Sequence, residues 1–315
     1  MKKLLIFLLL LAISLTSIVS CSGSTAKIKI GVMNGPTGMG MAKLMNDAGE
    51  DSEKYSFTSF SSPADATTAL ANGELDMLCV PTNLAANLAK GKEDYIQVAA
   101  INTLGSLYVV TKDGVTVNSI NDLQGKTVYY GEPTSTTGPI LNYILAQNGI
   151  EANLEALATN ELVGEKVAAG EASIVVLPEP KATVSINTAK KGGNNYSVAL
   201  NLSTEWSKVS DRPLTMGCII VKKDFAKENK KALDKFLAEY ELSIAYVNNK
   251  DNLDSASEMI VNAGILPNAV VAKSALGNLY GSIVYIDGDG MKDALESFYT
   301  AIGLTLPDDS FYYEK

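Results

Sequence analysis

Hydrophobic and polar residues along the chain form segments that predict strands and helices in alternation. "KIKIGVM" at 27–33 and "YSFTSF" at 55–60 have the composition of strands, and "LDMLCV" at 75–80 is almost entirely apolar, as a strand buried on both faces requires. Between them, residues 37–47 and "SSPADATTALANG" at 61–73 have the residue spacing of helices. The alternation predicts an α/β fold in which helices flank mostly parallel sheets.

The same order of elements occurs twice, with an offset of 97 residues. Pro36-Thr37 recurs as Pro133-Thr134, each time after a strand and before a helix, and "ANGELDMLCVPTN" aligns with "AAGEASIVVLPEP". The repeat predicts two similar lobes, each a strand–helix–strand–helix–strand unit. Because open α/β sheets bind ligands at the carboxyl ends of their strands, two such lobes facing each other would form a cleft.

Turn signals and the C-terminal elements predict how the chain divides between the lobes. Residues 224–303 are mostly helical and most simply pack back against the first lobe. The chain would then cross between lobes near 110–116 and again near 212–218, which forms a two-strand hinge. The expected domain bounds are 27–112 together with 214–315 for lobe 1, and 113–213 for lobe 2.

The N-terminus predicts export from the cytoplasm. Residues 1–20 contain two lysines, a long apolar run and small residues before Cys21, which is typical of a secretory signal peptide. The ending Ile18-Val19-Ser20-Cys21 resembles a bacterial lipobox, in which the cysteine is acylated. We therefore expect lipidation of Cys21, a flexible tether at 21–26 and an extracytoplasmic, membrane-anchored protein; the alternative is an ordinary signal cleaved nearby.

Composition narrows the classes of function. A net charge of −9 argues against nucleic acid as a partner, and the absence of histidine excludes His-based triads, zinc sites and general bases. The "DGDG" at 287–290 lacks the later ligands of a calcium loop and reads as a turn, so no metal and no cofactor are expected. Cys79 and Cys218 lie in apolar runs and read as buried free thiols, with a disulfide as the alternative.

The loops after the first strand of each lobe supply most of the candidate ligand-binding residues. Both enter a helix, where free N–H groups and the helix dipole favour an oxygen atom of a ligand. The glycines do not match the P-loop or dinucleotide fingerprints, and a purely structural turn or helix cap is the alternative for either loop. The candidates are Asn34, Thr37, Gly38 and Met39 in lobe 1, and Tyr130, Thr134, Ser135, Thr136 and Thr137 in lobe 2.

Further candidates lie in the loops after the third strand of each lobe and near the crossovers. Thr82 and Asn83 in "VPTN" could form hydrogen bonds with a solute, and Glu179 in "LPEP" could bind a cationic one or be a solvated loop residue. Near the crossovers, the candidates are Ser106, Tyr108 and Met216. Lys181 is the one basic residue close to these loops, so we favour an uncharged or zwitterionic organic ligand, with an oxyanion at the helix N-termini as the alternative.

The lipobox, the two lobes with two crossovers, "SINDLQGKTV" and "VKKDFAKEN" together resemble the substrate-binding lipoproteins of ABC importers. The resemblance covers the mature chain and is closest to the nitrate/sulfonate/taurine and thiamine-pyrimidine-precursor group. It implies the type II periplasmic-binding-protein fold, two mostly parallel sheets with a two-strand hinge, capture of a small-molecule solute by lobe closure, and delivery to a permease with its ATPase.

Two other functions are compatible with that fold. A ligand-sensing or adhesion lipoprotein would share every feature above. A pyrimidine-precursor synthase-like enzyme depends on a histidine and usually on a cysteine-rich motif, neither of which this sequence supplies. We therefore expect a monomeric binding protein and not an enzyme.

Overall fold

The computed structural model describes residues 27–90 and 95–315, and these residues form an α/β structure with two sheets. The predicted signal peptide, tether and lipidated Cys21 lie outside the described residues. The strands are β1 (Ile28–Met33), β2 (Tyr55–Phe60), β3 (Met77–Pro81), β4 (Ile96–Leu104), β5 (Leu107–Lys112), β6 (Thr127–Gly131), β7 (Asn153–Leu157), β8 (Ile174–Pro178), β9 (Tyr196–Asn201), β10 (Thr215–Lys222) and β11 (Ile283–Ile286).

Helices cover the sheets. They are α1 (Pro36–Met39), α2 (Ala42–Ala48), α3 (Pro63–Ala71), α4 (Thr82–Ala89), α5 (Thr137–Gln147), α6 (Asn160–Ala169), α7 (Lys181–Lys191), α8 (Leu202–Trp206), α9 (Lys223–Glu228), α10 (Lys230–Val247), α11 (Leu253–Asn262), α12 (Ala269–Asn278) and α13 (Gly288–Ala301). Short 3₁₀ turns occupy Ile120–Leu123, Lys250–Asn252 and Asp309–Phe311. None of the helices in the described part of the chain combines the length and hydrophobicity needed to cross a bilayer.

The two sheets confirm the predicted α/β fold class. The first has the strand order β11-β4-β10-β3-β1-β2 and the second the order β7-β6-β8-β5-β9. Within each repeat the strands are parallel, with β1 between β2 and β3, and β6 between β7 and β8. The sheets are mixed and not mostly parallel, because β10 and β5 join them antiparallel to β3 and β8.

The chain passes between the sheets at two places. β4 lies in the first sheet and β5 in the second, so the first passage occurs at Gly105–Ser106, earlier than the expected crossover near 110–116. The Asp113-Gly114 turn, with Gly114 at φ 85°, instead ends β5 inside the second lobe. The return passage lies between β9 and β10. As a division into domains, the bounds given above stay a prediction.

Aromatic side chains join the two lobes at the return passage. The ring of Trp206, which is buried, lies 4.9 Å from that of Tyr143 in α5 and 5.8 Å from that of Phe298 in α13, measured between centroids. Its indole N–H donates a hydrogen bond to the carbonyl of Arg212. This packing stabilises the contact between the lobes, because aromatic pairs stabilise beyond the area that they bury.

Candidate functional site

A cavity of about 740 Å³ lies between the two sheets and is lined by residues from both lobes. It opens where the carboxyl ends of the parallel strands β1, β2, β6 and β7 meet the starts of the following helices. We call residues 34–39, after β1, the first loop, and residues 132–137, after β6, the second loop. The polar residues that line the cavity are Asn34, Thr37, Ser61, Asn83, Asn87, Thr103, Ser106, Glu132, Thr134, Ser135, Thr136, Thr137, Asn160 and Glu179.

The first loop contributes two of its four predicted residues to the cavity lining. Asn34 and Thr37 line it, and the Asn34 amide donates a hydrogen bond to the Ser61 hydroxyl at 2.9 Å. Gly38 and Met39 do not line the cavity. Met39 is fully buried in the core, and a Cβ at Gly38 would overlap the carbonyl oxygen of Met33, so this glycine serves close packing of the backbone.

The second loop places all four of its predicted hydroxyl residues, Thr134 to Thr137, on the cavity. The Ser135 hydroxyl also accepts a hydrogen bond from the Thr137 N–H at 3.3 Å, so the capping interpretation holds for this one residue. Tyr130 does not line the cavity. Its hydroxyl lies against Gly138, where an added Cβ would stand 2.7 Å from the phenol oxygen.

Two further predicted residues are buried beside the cavity and do not line it. The Thr82 hydroxyl donates a hydrogen bond to the carbonyl of Thr215 at 3.2 Å. The Tyr108 hydroxyl donates to the carbonyl of Asn278 at 2.7 Å, which links the second sheet to helix α12 of the first lobe. Burial, and next the charge of Glu179, raise the pKa of Tyr108 to about 12.

Four more of the predicted residues line the cavity: Asn83, Ser106, Glu179 and Met216. Glu179 is not a solvated loop residue, because it is 2 % exposed. One of its carboxylate oxygens accepts hydrogen bonds from the Asn278 amide at 2.6 Å and the Thr183 hydroxyl at 2.9 Å, and the other accepts from the Thr183 N–H at 3.3 Å.

Sequence reasoning missed five polar residues of the lining, which are Ser61, Asn87, Thr103, Glu132 and Asn160. Ser61 and Asn160 follow β2 and β7, the edge strands of the parallel units. All parallel strands of a sheet end at the same edge, so the residues after β2 and β7 could have been predicted to lie near the cleft. Asn87 lies one helical turn beyond Asn83, on the same face of α4.

The described residues hold no group of three or more His, Cys, Asp or Glu side chains that could bind a metal ion. Cys79 and Cys218 are free and buried. Burial raises the pKa of the Cys79 thiol to about 12 and that of Cys218 well above its ordinary value. Neither thiol is therefore present as the nucleophilic thiolate at neutral pH.

Comparison with solved structures shows the fold. An ABC transporter structure from Parabacteroides distasonis shares 20 % identity with a TM-score of 0.73, covering 92 % of this chain and 99 % of that one. The periplasmic aliphatic sulphonate binding protein SsuA from Escherichia coli shares 15 % identity with a TM-score of 0.70, covering 92 % of each chain. The periplasmic nitrate-binding protein NrtA from Synechocystis PCC 6803 shares 13 %, with a TM-score of 0.59 and coverage of 88 % and 80 %.

These neighbours have the periplasmic-binding-protein fold, which agrees with the fold implied by the resemblance above. No curated protein matches the sequence. The family model that does match is a different one from the importer group named above: it covers residues 42–302 and carries the description "Menaquinone biosynthesis". Because that match spans most of the sequence, the chain belongs to the menaquinone biosynthesis family, whose model matches residues 42–302.

Proposed function

We propose that this chain is the solute-binding lipoprotein of an ABC importer, which captures a small organic solute in the cleft between its lobes. The observation that carries the proposal is the cavity of about 740 Å³ lined by polar groups from both lobes. Its volume suits a small molecule, since ligand cavities measure roughly 300–1,000 Å³. The fold of the neighbouring ABC-type binding proteins supports the same conclusion.

Closure of the lobes is the proposed mechanism. Asn34, Thr37 and Asn83 lie on the first lobe, and Ser135, Thr136 and Glu179 lie on the second. A solute that contacts both sets binds the closed state more tightly than the open one, so it shifts the population toward closure. The two passages at Gly105–Ser106 and between β9 and β10 are the segments about which the lobes would turn.

The proposal also specifies a cellular location and partner proteins. Lipidation of Cys21 would anchor a monomer at the outer face of the cytoplasmic membrane, next to a permease and its ATPase. The neighbours from Escherichia coli and Synechocystis are periplasmic proteins, which supports the extracytoplasmic location. A ligand-sensing or adhesion lipoprotein would have the same location but would not deliver the bound solute for transport.

An enzyme is the second candidate, because the chain belongs to a family described by a biosynthetic pathway. The residues favour binding over catalysis. The sequence has no histidine, and both thiols are buried with raised pKa values. The carboxylates that line the cavity, Glu132 and Glu179, are each held by an asparagine amide.

Mass spectrometry of the purified full chain tests the proposal. Denaturation is expected to release a small molecule that rebinds unchanged to emptied protein, with an affinity measurable by titration calorimetry. Conversion of that molecule into a product on incubation would support the enzyme instead. If no molecule is released and no solute of a broad panel binds, the binding proposal fails.

A further inference from the structure

The charged side chains that line the cavity are all acidic among the described residues. Among the described residues that line it, Glu132 and Glu179 are the only charged ones. The nearest basic residue in sequence, Lys181, is absent from the lining and instead forms an ion pair with Glu161, with 3.3 Å between the ammonium nitrogen and a carboxylate oxygen. A sulfonate, nitrate or carboxylate would therefore meet charges of its own sign and no cation.

Glu132 has a positive φ, a backbone conformation that is energetically unfavourable for residues other than glycine. Its φ is 59°, and it is the one non-glycine residue with a positive φ in the part of the chain that the structure describes. The matching position of the first loop, 97 residues earlier, is Gly35, with a φ of 98°. Both lobes thus have a positive φ at this position, and only the second has a charged residue there. Strain of this kind is found where function requires a side chain.

The Glu132 carboxylate is fixed with one oxygen left for a ligand. Its Oε1 accepts a hydrogen bond from the Asn160 amide at 2.9 Å, and no described residue donates to Oε2. The backbone around it is held by two hydrogen bonds, from the Glu132 N–H to the carbonyl of Leu157 and from the Ser135 N–H to the carbonyl of Glu132. The backbone that carries this exposed carboxylate is therefore held in place beside the cavity.

A second observation concerns Ser106 and also points to a ligand. Ser106 is 4 % exposed and lines the cavity, and among the described residues its hydroxyl has no hydrogen-bond partner. Its carbonyl accepts a hydrogen bond from the Glu179 N–H at 2.9 Å, so the backbones of the two residues are paired. A hydroxyl that lies at a cavity without a protein partner is available to a ligand that forms hydrogen bonds.

The helix N-termini around the cleft offer less to an anion than their number suggests. The Ser135 hydroxyl takes up one N–H of α5, the Thr159 hydroxyl one N–H of α6, and the Glu179 carboxylate one N–H of α7. Glu179 also brings a full negative charge to the start of α7, which outweighs the partial positive charge of the helix dipole. Two starts at the cavity, those of α1 after Gly35 and of α4 after Pro81, have no side-chain cap.

We propose that the cleft selects an organic solute bearing a positively charged nitrogen, an ammonium or guanidinium group, over an oxyanion. Glu132 is the specificity-determining residue, and Glu179 with Ser106 receives further hydrogen-bond donors of the same solute. This inference rests on the proposed function and names the class of its ligand. It also separates this chain from the sulphonate-binding and nitrate-binding neighbours, which share its fold.

Titration calorimetry of the full chain with matched probes tests the inference. The cations are agmatine, cadaverine and choline, and the oxyanions are butanesulfonate, glutarate and nitrate. At least one cation is expected to bind more tightly than every oxyanion. Glu132→Gln and Glu179→Gln should each weaken that cation by roughly tenfold to a hundredfold, the usual value of a charge-assisted hydrogen bond. Circular dichroism reports whether each variant is folded.

Glu165→Gln is the matched control, because it removes the same charge from an exposed residue of helix α6 that does not line the cavity. Its affinity for the cation should equal that of the unmodified chain. An oxyanion that binds more tightly than every cation overturns the charge selectivity and leaves the proposed function standing. Failure of every cation also overturns it, and the proposed function fails with it only if the oxyanions do not bind either and no molecule is released on denaturation.

Discussion

The first loop and the second loop occupy matching positions in the two lobes, yet they present different side chains to the cavity. In the first, Gly35 has the positive φ, and Gly38 and Met39 pack into the core. In the second, Glu132 has the positive φ, and the residues that match Gly38 and Met39 are Ser135 and Thr136, which both line the cavity. The repeat kept the order of elements, but α1 begins at Pro36 and α5 only at Thr137, so the two copies present different residues to the cavity.

The difference shows why a glycine-rich turn is a weak sign of a binding loop. The first loop was a candidate partly because glycines permit close approach of a ligand to the backbone. Its glycine at position 38 permits close approach of the chain to itself instead. Of the two loops, the second supplies most of the polar side chains that a solute could contact. Four experiments test this difference.

The largest effect is expected at Gly38. In Gly38→Ala the new methyl group would overlap the Met33 carbonyl oxygen and lie 2.8 Å from Cγ1 of Val32. We expect a loss of about 3 kcal/mol in the free energy of unfolding, the upper range for an overpacked core. Chemical denaturation measures it. Ser135→Ala at the matching position should change the stability by less than about 1 kcal/mol, and equal losses at the two positions would contradict the division of roles.

The next effect concerns ligand affinity. Thr136→Val keeps the shape of the side chain and removes a hydroxyl that faces the cavity, so affinity for the released solute should fall by about tenfold. Thr37→Val in the first loop should lower the affinity less, because the first loop has fewer polar groups on the cavity with which a solute could form hydrogen bonds. Titration calorimetry compares the two variants. A larger loss at Thr37 would show that the first loop dominates binding.

Tyr108→Phe tests the link between the lobes. Loss of the hydrogen bond to the Asn278 carbonyl should lower the free energy of unfolding by about 1 kcal/mol at neutral pH. Because the folded pKa of Tyr108 is raised from 10.0 to about 12, its contribution is complete below pH 10 and is lost as the pH rises to 12. The fall in stability between pH 10 and 12 should therefore be shallower in the variant. An unchanged slope would contradict this assignment.

The smallest effect is expected at the two positive-φ positions. Gly35→Ala should lose about 1 kcal/mol of stability, because alanine is strained at φ 98°. Glu132→Gly relieves the same strain but adds unfolded-chain entropy, so its stability should stay within about 1 kcal/mol of the unmodified chain. Thermal and chemical denaturation measure both. A large loss in Glu132→Gly would mean that the glutamate is structural.

Much of the architecture was predictable because it depends on periodic patterns. The alternation of strands and helices, the repeat at Pro36 and Pro133 and the cleft at the strand ends follow from residue spacing alone. The first passage between sheets was misplaced because β4 and β5 are two apolar strands separated by only Gly105 and Ser106. Nothing in the apolar pattern distinguishes such a passage from a short turn.

The lining of the cavity was harder to predict. Asn34 and Glu179 were found from their positions at strand ends, and Ser106 from its position near the first crossover. Tyr108 and Tyr130 were misjudged because alternation along a strand gives two faces and does not say which face is covered by a helix. Glu132 was missed because its direction depends on a left-handed backbone conformation, which residue type alone does not indicate.

The most direct test of the account is native mass spectrometry of the purified full chain, with and without denaturation. The account predicts one small molecule per chain, released intact, rebound by emptied protein without chemical change, and bound less tightly by Thr136→Val. A chain that releases no molecule and binds none, or that converts its molecule into a product, would contradict the central claim that the cleft captures a solute.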